Sequence, residues 1–378
     1  MTTTSLFSNV ALADGDADAN GSKGGEAAAS DDKKLRLRIV RRDRTAFGTQ
    51  VQILATAHTD AEARLVAAHL EAAFAELSRV ATLLDDTKDD SDIARVNANA
   101  GVAPVAVSPE VFNLLLESQR LSQLTQGAFD ATYAALKGVW RYRANDPVLT
   151  VAKSTDAGTP PASPEAPVDV APDVPDDALI EQQRALVSHA DLLLDPAART
   201  AFLRRKGMRM SLAGIGKGHA LDLAAQKLES LGVKDFIVSA GGDLVVRGMK
   251  DNQPWKVGIQ DPRAQGYFAA LSTTAGAVMT TGDYEKFFFK DKVRYHHVLD
   301  PRTGKPARGL RSATVLATGA LDADALSTAV FVLGAKDGMA LVERMDGVEA
   351  VLVTDANKVL VSTGLAGKVE HRPPTDAP

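Results

Sequence analysis

The segment Tyr295-His296-His297-Val298-Leu299-Asp300-Pro301-Arg302-Thr303-Gly304 gathers two histidines, a carboxylate and an arginine around turn-forming Asp-Pro and Thr-Gly pairs. A segment serving only a core does not need that density of proton-transfer and anion-binding groups. His297 could act as a general base, since an unperturbed imidazole titrates near neutrality. The plain alternative is a structural histidine bonded to a carbonyl. Adjacent side chains on a strand face opposite ways, so at most one of His296 and His297 points at a site. His58, His69, His189 and His371 lie in contexts that suggest no role.

Three further clusters carry chemistry. Ala213-Gly214-Ile215-Gly216-Lys217-Gly218 opens a helical pattern. Its glycines let backbone N–H groups approach a phosphate, and Lys217 adds charge at a helix N-terminus. The spacing is not that of a P-loop, and no Ser or Thr follows the lysine; a glycine turn with a surface lysine is the other reading. Ala240-Gly241-Gly242-Asp243 is a tight strand-to-strand turn, ordinary hairpin chemistry unless context adds to it. In Asp322-Ala323-Asp324-Ala325-Leu326-Ser327-Thr328, Asp324 and Thr328 share one helix face. A carboxylate and a hydroxyl so placed can ligate Mg²⁺, which prefers oxygen and often keeps water and substrate phosphate in its shell. They also suit a capping Asp and a mid-helix Thr bonded to backbone. Gly127-Ala128-Phe129-Asp130 is a smaller cluster: Phe129 and Asp130 either pack on and bond a ring system, or fill the core and cap a turn.

These clusters need elements to hold them. Leu35, Leu37 and Ile39 alternate with arginines, and Val51, Ile53 and Ala55 continue after Phe47-Gly48-Thr49, which predicts a hairpin. Helical spacing runs over 60–84, with Thr59 or Asp60 as cap, and from Pro109 to about Thr125. Further helices are expected at 176–187, 218–231 (stopping at Gly232) and 321–333. Short strands fall at 192–194, 236–239, 244–246, 255–259, 271–273, 277–280, 350–354 and 359–362. Strands often follow strands directly, which favours α+β with antiparallel sheet over a parallel βαβ alternation.

The chain has 378 residues, 45% hydrophobic and 24% charged, a globular composition sufficient for one large domain or two ordinary ones. A net charge of −5 suggests no polyanion-binding surface, so nucleic acid is not expected as a partner. The lack of cysteine excludes disulfides, thiolate metal sites and a cysteine nucleophile. No apolar run approaches the roughly 20 residues of a membrane span. Residues 1–34 are expected to be a disordered leader or signal remnant; Ser5–Ala13 resembles the tail of a secretion signal. Seven of the seventeen prolines lie between Pro147 and Pro175, so 144–176 is expected to be a flexible insertion in a domain spanning 35–370, with a disordered tail at 371–378.

Taken in order, the clusters resemble the ApbE family, the FAD:protein FMN transferases. The resemblance runs from Phe47-Gly48-Thr49 to the final hairpin. It is carried by Asn97, Gly127-Ala128-Phe129-Asp130 with Trp140, Gly214-Ile215-Gly216-Lys217-Gly218 with Asp222, and Gly241-Gly242-Asp243. Trp255 with Asp261-Pro262, Thr281-Gly282-Asp283-Tyr284, His297 to Gly304 and Ala323 to Thr328 complete it. It implies a two-lobed α+β fold with mixed, largely antiparallel sheets and packed helices, and FAD in the inter-lobe cleft. It implies Mg²⁺-dependent transfer of FMN from FAD to a Thr or Ser hydroxyl of a target flavoprotein through a phosphoester, with release of AMP. The implied metal ligands are Asp324, Thr328 and a backbone carbonyl of the Gly-rich turn at Gly216. The implied FAD-binding residues are Asp130, Gly216, Lys217, Asp222, Gly242, Asp243, Asp261, Thr281, Gly282 and His297, with His297, Lys217 and Asp324 catalytic. The chain departs from the family pattern at Met210-Ser211-Leu212, where an aspartate is usual, at Gly216, where alanine is common, and at Thr281, where serine is usual.

Two other functions fit the same residues. One is a metal-dependent FAD pyrophosphatase giving FMN and AMP, with water in place of the acceptor. The other is a non-catalytic FAD-binding protein, suggested by Ser211. The resemblance also implies a periplasmic or exported-side location, with a cytoplasmic one as the alternative, and membrane association only through partners or through a missing signal or anchor.

Overall fold

The computed structural model describes residues 37–142 and 172–376; the expected leader at 1–34 and most of the expected insertion lie outside these residues. In chain order the elements are β1 (Arg38–Ala46), β2 (Thr49–Ala57), α1 (Asp60–Leu83), α2 (Asp92–Ala98), β3 (Val105–Ala106), α3 (Pro109–Leu124), α4 (Asp177–Arg184), β4 (Leu192–Asp195), β5 (Thr200–Leu203) and α5 (Ala213–Ser230). There follow β6 (Phe236–Ala240), β7 (Asp243–Arg247), β8 (Met249–Lys250), β9 (Gln253–Gln260), β10 (Tyr267–Thr273), β11 (Ala275–Gly282), β12 (Phe287–Lys290), β13 (Val293–His296) and β14 (Leu310–Ala317). The chain closes with α6 (Ala320–Val342), β15 (Glu349–Thr354), β16 (Val359–Val361) and β17 (Val369–His371).

An eight-stranded sheet in the order β1-β2-β6-β7-β11-β14-β15-β16 is the frame, and all its pairings are antiparallel. Its strands alternate as a two-faced sheet must. Ile53 and Ala55 of β2, Phe236 and Val238 of β6 and Val245 of β7 join one core with α1, α5 and α6. Leu54, Ile237, Leu244 and Val246, from the intervening positions, join a second core with Trp255, Val257 and Ile259 of β9. That second core belongs to a four-stranded sheet in the order β17-β10-β9-β8. Helices therefore cover one face of the frame and a second sheet covers the other. A smaller group, the sheet β3-β5-β4 with α2, α3 and α4, completes the α+β fold.

Local sequence explains the helix starts. Thr59 caps α1 by accepting from the Glu62 N–H (3.1 Å), and Ser108 followed by Pro109 begins α3. In α1, Val66, Leu70, Ala73, Phe74, Leu77 and Val80 form the buried stripe.

Four expectations change. α5 begins at Ala213 rather than Gly218, so the glycine–lysine stretch is the first turns of the helix and not a loop before it. α6 runs past Leu333 but is broken at Gly334, whose φ of 78° only glycine adopts freely. α6 is also long and apolar enough, by length and composition, to cross a membrane, contrary to the reading of the sequence; its apolarity is that of a central helix, with 61% of its apolar window buried. Finally, the chain is placed beyond 371: Thr375 donates its N–H to Asp261 (2.8 Å), and Arg311 donates to the Thr375 carbonyl (3.3 Å).

Candidate active site

The site forms where α5, α6 and the ends of β7 and β11 meet. β6 and β7 are joined by Gly241 and Gly242, with φ of 60° and 96°, and Ala240 pairs directly with Asp243. Two positive φ values make this a tight turn that ordinary side chains resist. The turn delivers Asp243, nearly fully buried, to the helix layer. One of its carboxylate oxygens accepts from the Thr280 N–H of β11 (2.7 Å), and the other pairs with the Lys217 ammonium.

Lys217 stands in the first turns of α5, beside Asp324 of α6. Gly218, the next residue, donates its N–H to the Asp324 carboxylate (2.9 Å). The two helices touch there: a Cβ on Gly218 would lie 2.3 Å from the Ala320 carbonyl oxygen and 2.9 Å from Asp324 Cβ. One turn along α6, Thr328 Oγ1 lies 3.3 Å from Thr281 Oγ1 of β11, which also bonds Ser327 (2.8 Å). Asp324 and Thr328 do share a helix face, and that face looks onto Lys217 and Thr281.

Electrostatics set the protonation states. Burial works against the charge on Lys217, but Asp243 and Asp324 outweigh it and hold the amine protonated. Burial pushes the Asp324 carboxyl up; Lys217 opposes this, Asp243 adds to it, and the Gly218 N–H opposes it. Glu285, which lines the cleft with Asp243 and Gly242, is also raised by burial, against the pull of Lys217. Three carboxyl groups thus surround one ammonium, a surplus of negative charge that suits a bound cation. Among the described residues no group of three or more His, Asp or Glu side chains could share a metal ion. A metal here would rest on one carboxylate, Asp324, with neutral oxygens, a donor set that fits Mg²⁺ better than a softer ion.

His297 follows β13, its N–H held by the Lys286 carbonyl (3.0 Å). Its Nδ1 is buried without a hydrogen-bond partner among the described residues. Burial, with smaller effects from His296, Lys286 and Lys217, lowers its pKa to about 4, so the ring is neutral and able to accept a proton. His296 turns the other way, with Nε2 on the Ala307 carbonyl (2.9 Å) and its ring edge-on to Phe331. Asp300 and Arg302 bond each other in a bidentate pair (2.9 Å each) and close their own turn. Of the dense histidine segment, His297 is the group that feels the charge of Lys217.

Two spaces flank Lys217. One is the cleft at Gly242, Asp243, Gly282, Tyr284 and Glu285. The other is a cavity of about 560 Å³ between Phe47 and Gly48, the end of α1 at Thr82 and Leu84, Asp85 with Lys88, and Gly216 with Lys217.

Comparison with known proteins now bears on this arrangement. The sequence profile of the ApbE family matches residues 47–352. The chain belongs to the ApbE family. It is 31% identical over 348 residues to the FAD:protein FMN transferase of Treponema pallidum, covering 89% of this chain and 90% of that protein. It is 29% identical over 293 residues to that of Klebsiella pneumoniae, covering 77% and 83%. Among solved structures, the ApbE protein of Thermotoga maritima superposes with a TM-score of 0.73 at 29% identity, covering 88% of this chain and 99% of that one. The Pseudomonas stutzeri flavinyl transferase ApbE, in its apo form, gives 0.72 at 26%, covering 89% and 98%.

Other residues of the ApbE pattern hold this centre in place. Asp222 of α5 accepts the Ala320 and Leu321 N–H groups (2.8 and 2.9 Å), so it caps α6 and sets the position of Asp324. Asp130 accepts from the Thr132 N–H and hydroxyl and from both the backbone and ring of His189, a histidine that sequence reasoning passed over. Asp261 accepts from Arg263 and Thr375. All three carboxylates are thus engaged by internal donors; for Asp130 this is the turn cap that the sequence offered as one alternative, and for Asp222 and Asp261 it is a positioning role the sequence did not assign. Asn97 bonds both backbone groups of Met210 (2.8 and 2.9 Å) and steadies the approach to α5. Ser211, noted from the sequence as a departure, accepts from Lys137 (2.8 Å). Gly282 lies against Tyr284, whose ring a Cβ would meet at 2.2 Å. Phe129 packs on Gly214 in the core rather than standing free for a ring ligand. Sequence reading missed Glu285 and Arg263. Arg263 makes a buried bidentate pair with Asp283 (2.6 and 2.7 Å), and only its spacing two residues after Asp261 hinted at it.

Proposed function

We propose that this protein transfers FMN from FAD to a Thr or Ser hydroxyl of a target flavoprotein, with Mg²⁺ and with release of AMP. The observation that carries this reading is the convergence of Lys217, Asp243, Asp324, Thr281 and Thr328, with a neutral His297 that feels the charge of Lys217 and whose Nδ1 has no partner among the described residues. The names of the relatives supply the class of reaction.

The chemistry follows from the charges. The hydroxyl oxygen attacks the phosphorus of the FMN half, the bond to the bridging oxygen breaks, and AMP leaves with that oxygen. His297 takes the hydroxyl proton. Burial alone makes it a weak base, and the phosphate charges of the substrate raise its pKa. Lys217, kept charged by Asp243 and Asp324, offsets charge on the phosphoryl oxygens. Asp324, Thr328 and the Gly216 carbonyl are the groups that would hold Mg²⁺, which would supply further neutralisation. The 560 Å³ cavity on one side of Lys217 is within the usual range for a small-molecule site and suits one half of a dinucleotide. The Ser5–Ala13 pattern favours action on the exported side of a membrane.

Incubating the protein with FAD, Mg²⁺ and an apo-acceptor modified by the Treponema pallidum relative tests this. Covalent flavin on the acceptor, with AMP released in equal amount, is the expected result. Free FMN formed at the same rate with or without acceptor would instead identify a pyrophosphatase, and FAD bound but never cleaved would identify a binding protein.

A further inference from the structure

We propose that the acceptor protein docks by laying an extended, acid-bearing segment along the outer edge of β12 as an added strand; this rests on the FMN-transfer reading above. Among the described residues β12 and β13 pair only with each other, across the Asp291-Lys292 turn. Because the His297 N–H donates to the Lys286 carbonyl, Lys286/His297, Phe288/Tyr295 and Lys290/Val293 are the hydrogen-bonded pairs. The N–H and C=O groups of Phe287 and Phe289 therefore face away from β13.

The rest of this hairpin is covered. Arg308 donates to the Arg294 carbonyl (2.7 Å) on the β13 edge. Phe288 stacks on Tyr295 (5.3 Å between centroids) and packs against Tyr142 (6.0 Å). What is left among the described residues is the β12 edge, and it leads into the site: the Lys286 carbonyl holds the His297 N–H, and Glu285 lines the cleft with Asp243. A strand laid there is carried to the imidazole that must take its proton. Strand addition obtains affinity from main-chain hydrogen bonds and selectivity from alternate side chains.

Charge selects the occupant. Lys286 and Lys292 are exposed on this hairpin in a chain of net charge −5, while Lys290 is engaged by Asp173 (2.6 Å) and Arg294 lies 3.8 Å over the Phe287 ring. Lysines on an open edge also discourage pairing with a second copy. An acidic segment meets both conditions, and half-exposed Phe289 offers it an apolar contact.

Phe289→Pro removes one outward N–H without touching a β12–β13 bond. With the apo-acceptor named above, KM for acceptor should rise at least tenfold, while Mg²⁺-dependent cleavage of FAD by water stays within twofold. Lys292→Glu should raise KM in the same direction and weaken its dependence on salt. Hydrogen exchange on the unsubstituted protein provides an arm independent of any folding defect: saturating acceptor should slow exchange at Phe287 and Phe289. Transfer by the proline variant at the parental KM, or unchanged exchange at both amides, overturns the docking proposal. Absence of any transfer by the parental protein would instead remove the functional reading on which it rests.

Discussion

Gly218→Ala tests the helix contact that builds the site. In an open helix this change adds about 1 kcal/mol of stability, since glycine is a poor helix former. Here the sign should reverse. The new Cβ would lie 2.3 Å from the Ala320 oxygen, 2.7 Å from the Ala320 carbonyl carbon and 2.9 Å from Asp324 Cβ, and ordinary contact begins near 3.4 Å. These atoms are backbone or close to it, so no side-chain rotation relieves them. α6 must retreat by about 1 Å, and overpacking of that kind costs about 1–3 kcal/mol. The retreat also stretches the bond from the Gly218 N–H to Asp324. A displacement of about 1 Å at reacting groups can cost on the order of 100-fold in rate. Circular-dichroism melting should show a Tm lowered by several degrees, and FMN transfer at saturating FAD and Mg²⁺ should fall on the order of 100-fold. Gly216→Ala is the control. Its Cβ would meet only the Leu84 Cδ1 end at 2.8 Å, which can rotate aside, and its backbone carbonyl is kept; Tm should hold or rise and transfer stay within a few fold. A Gly218→Ala protein as stable and as fast as the parent would refute the contact's role in placing Asp324.

Four further outcomes are expected. Asp222→Ala strips the acceptor from two N–H groups at the start of α6 and should cost about 1–3 kcal/mol in urea unfolding, with a larger proportional loss of transfer; equal stability would show the cap to be dispensable. Arg263→Met takes the bidentate partner from buried Asp283 and leaves it only the longer pair with Arg294 (3.8 Å), so it should cost about 1–3 kcal/mol, and an unchanged unfolding midpoint contradicts the assignment. His297→Ala should bind FAD by titration yet lose about 10²–10⁴-fold in transfer, whereas a parental rate would place the base elsewhere. Burial lowers the His296 pKa from 6.5 to about 4, so its stabilising contribution is complete above pH 6.5 and is lost as pH falls toward 4. The unfolding midpoint should drop across that window, and His296→Leu should remove about half of the drop, the rest belonging to His297, which burial lowers alike; an unchanged slope would rule His296 out as a source.

Periodicity made most elements legible, because α1, α3 and the strands of the frame each bury one face against a single layer. The α5 start was misjudged because glycine is read as loop; here Gly216 and Gly218 are helical, and at Gly218 the missing side chain admits α6. The pairing of Asp324 with Thr328 was visible from their spacing, and the opposed histidines from strand geometry. The turn cap at Asp130 was legible, but its bonds to His189 and the roles of Asp222 and Asp261 were not, since the donors at His189, Ala320 and Thr375 lie from 59 to 114 positions away. Glu285 was hidden for the same reason: only the closure of β11 onto α5 brings it near Lys217.

A crystal structure with FAD and Mg²⁺ tests the central claim most directly. The account predicts the pyrophosphate seated against the start of α5, within reach of Lys217, with a metal on Asp324 and Thr328 and with His297 facing the phosphorus of the FMN half. A pyrophosphate bound away from Lys217, or a metal with no bond to Asp324, would contradict it.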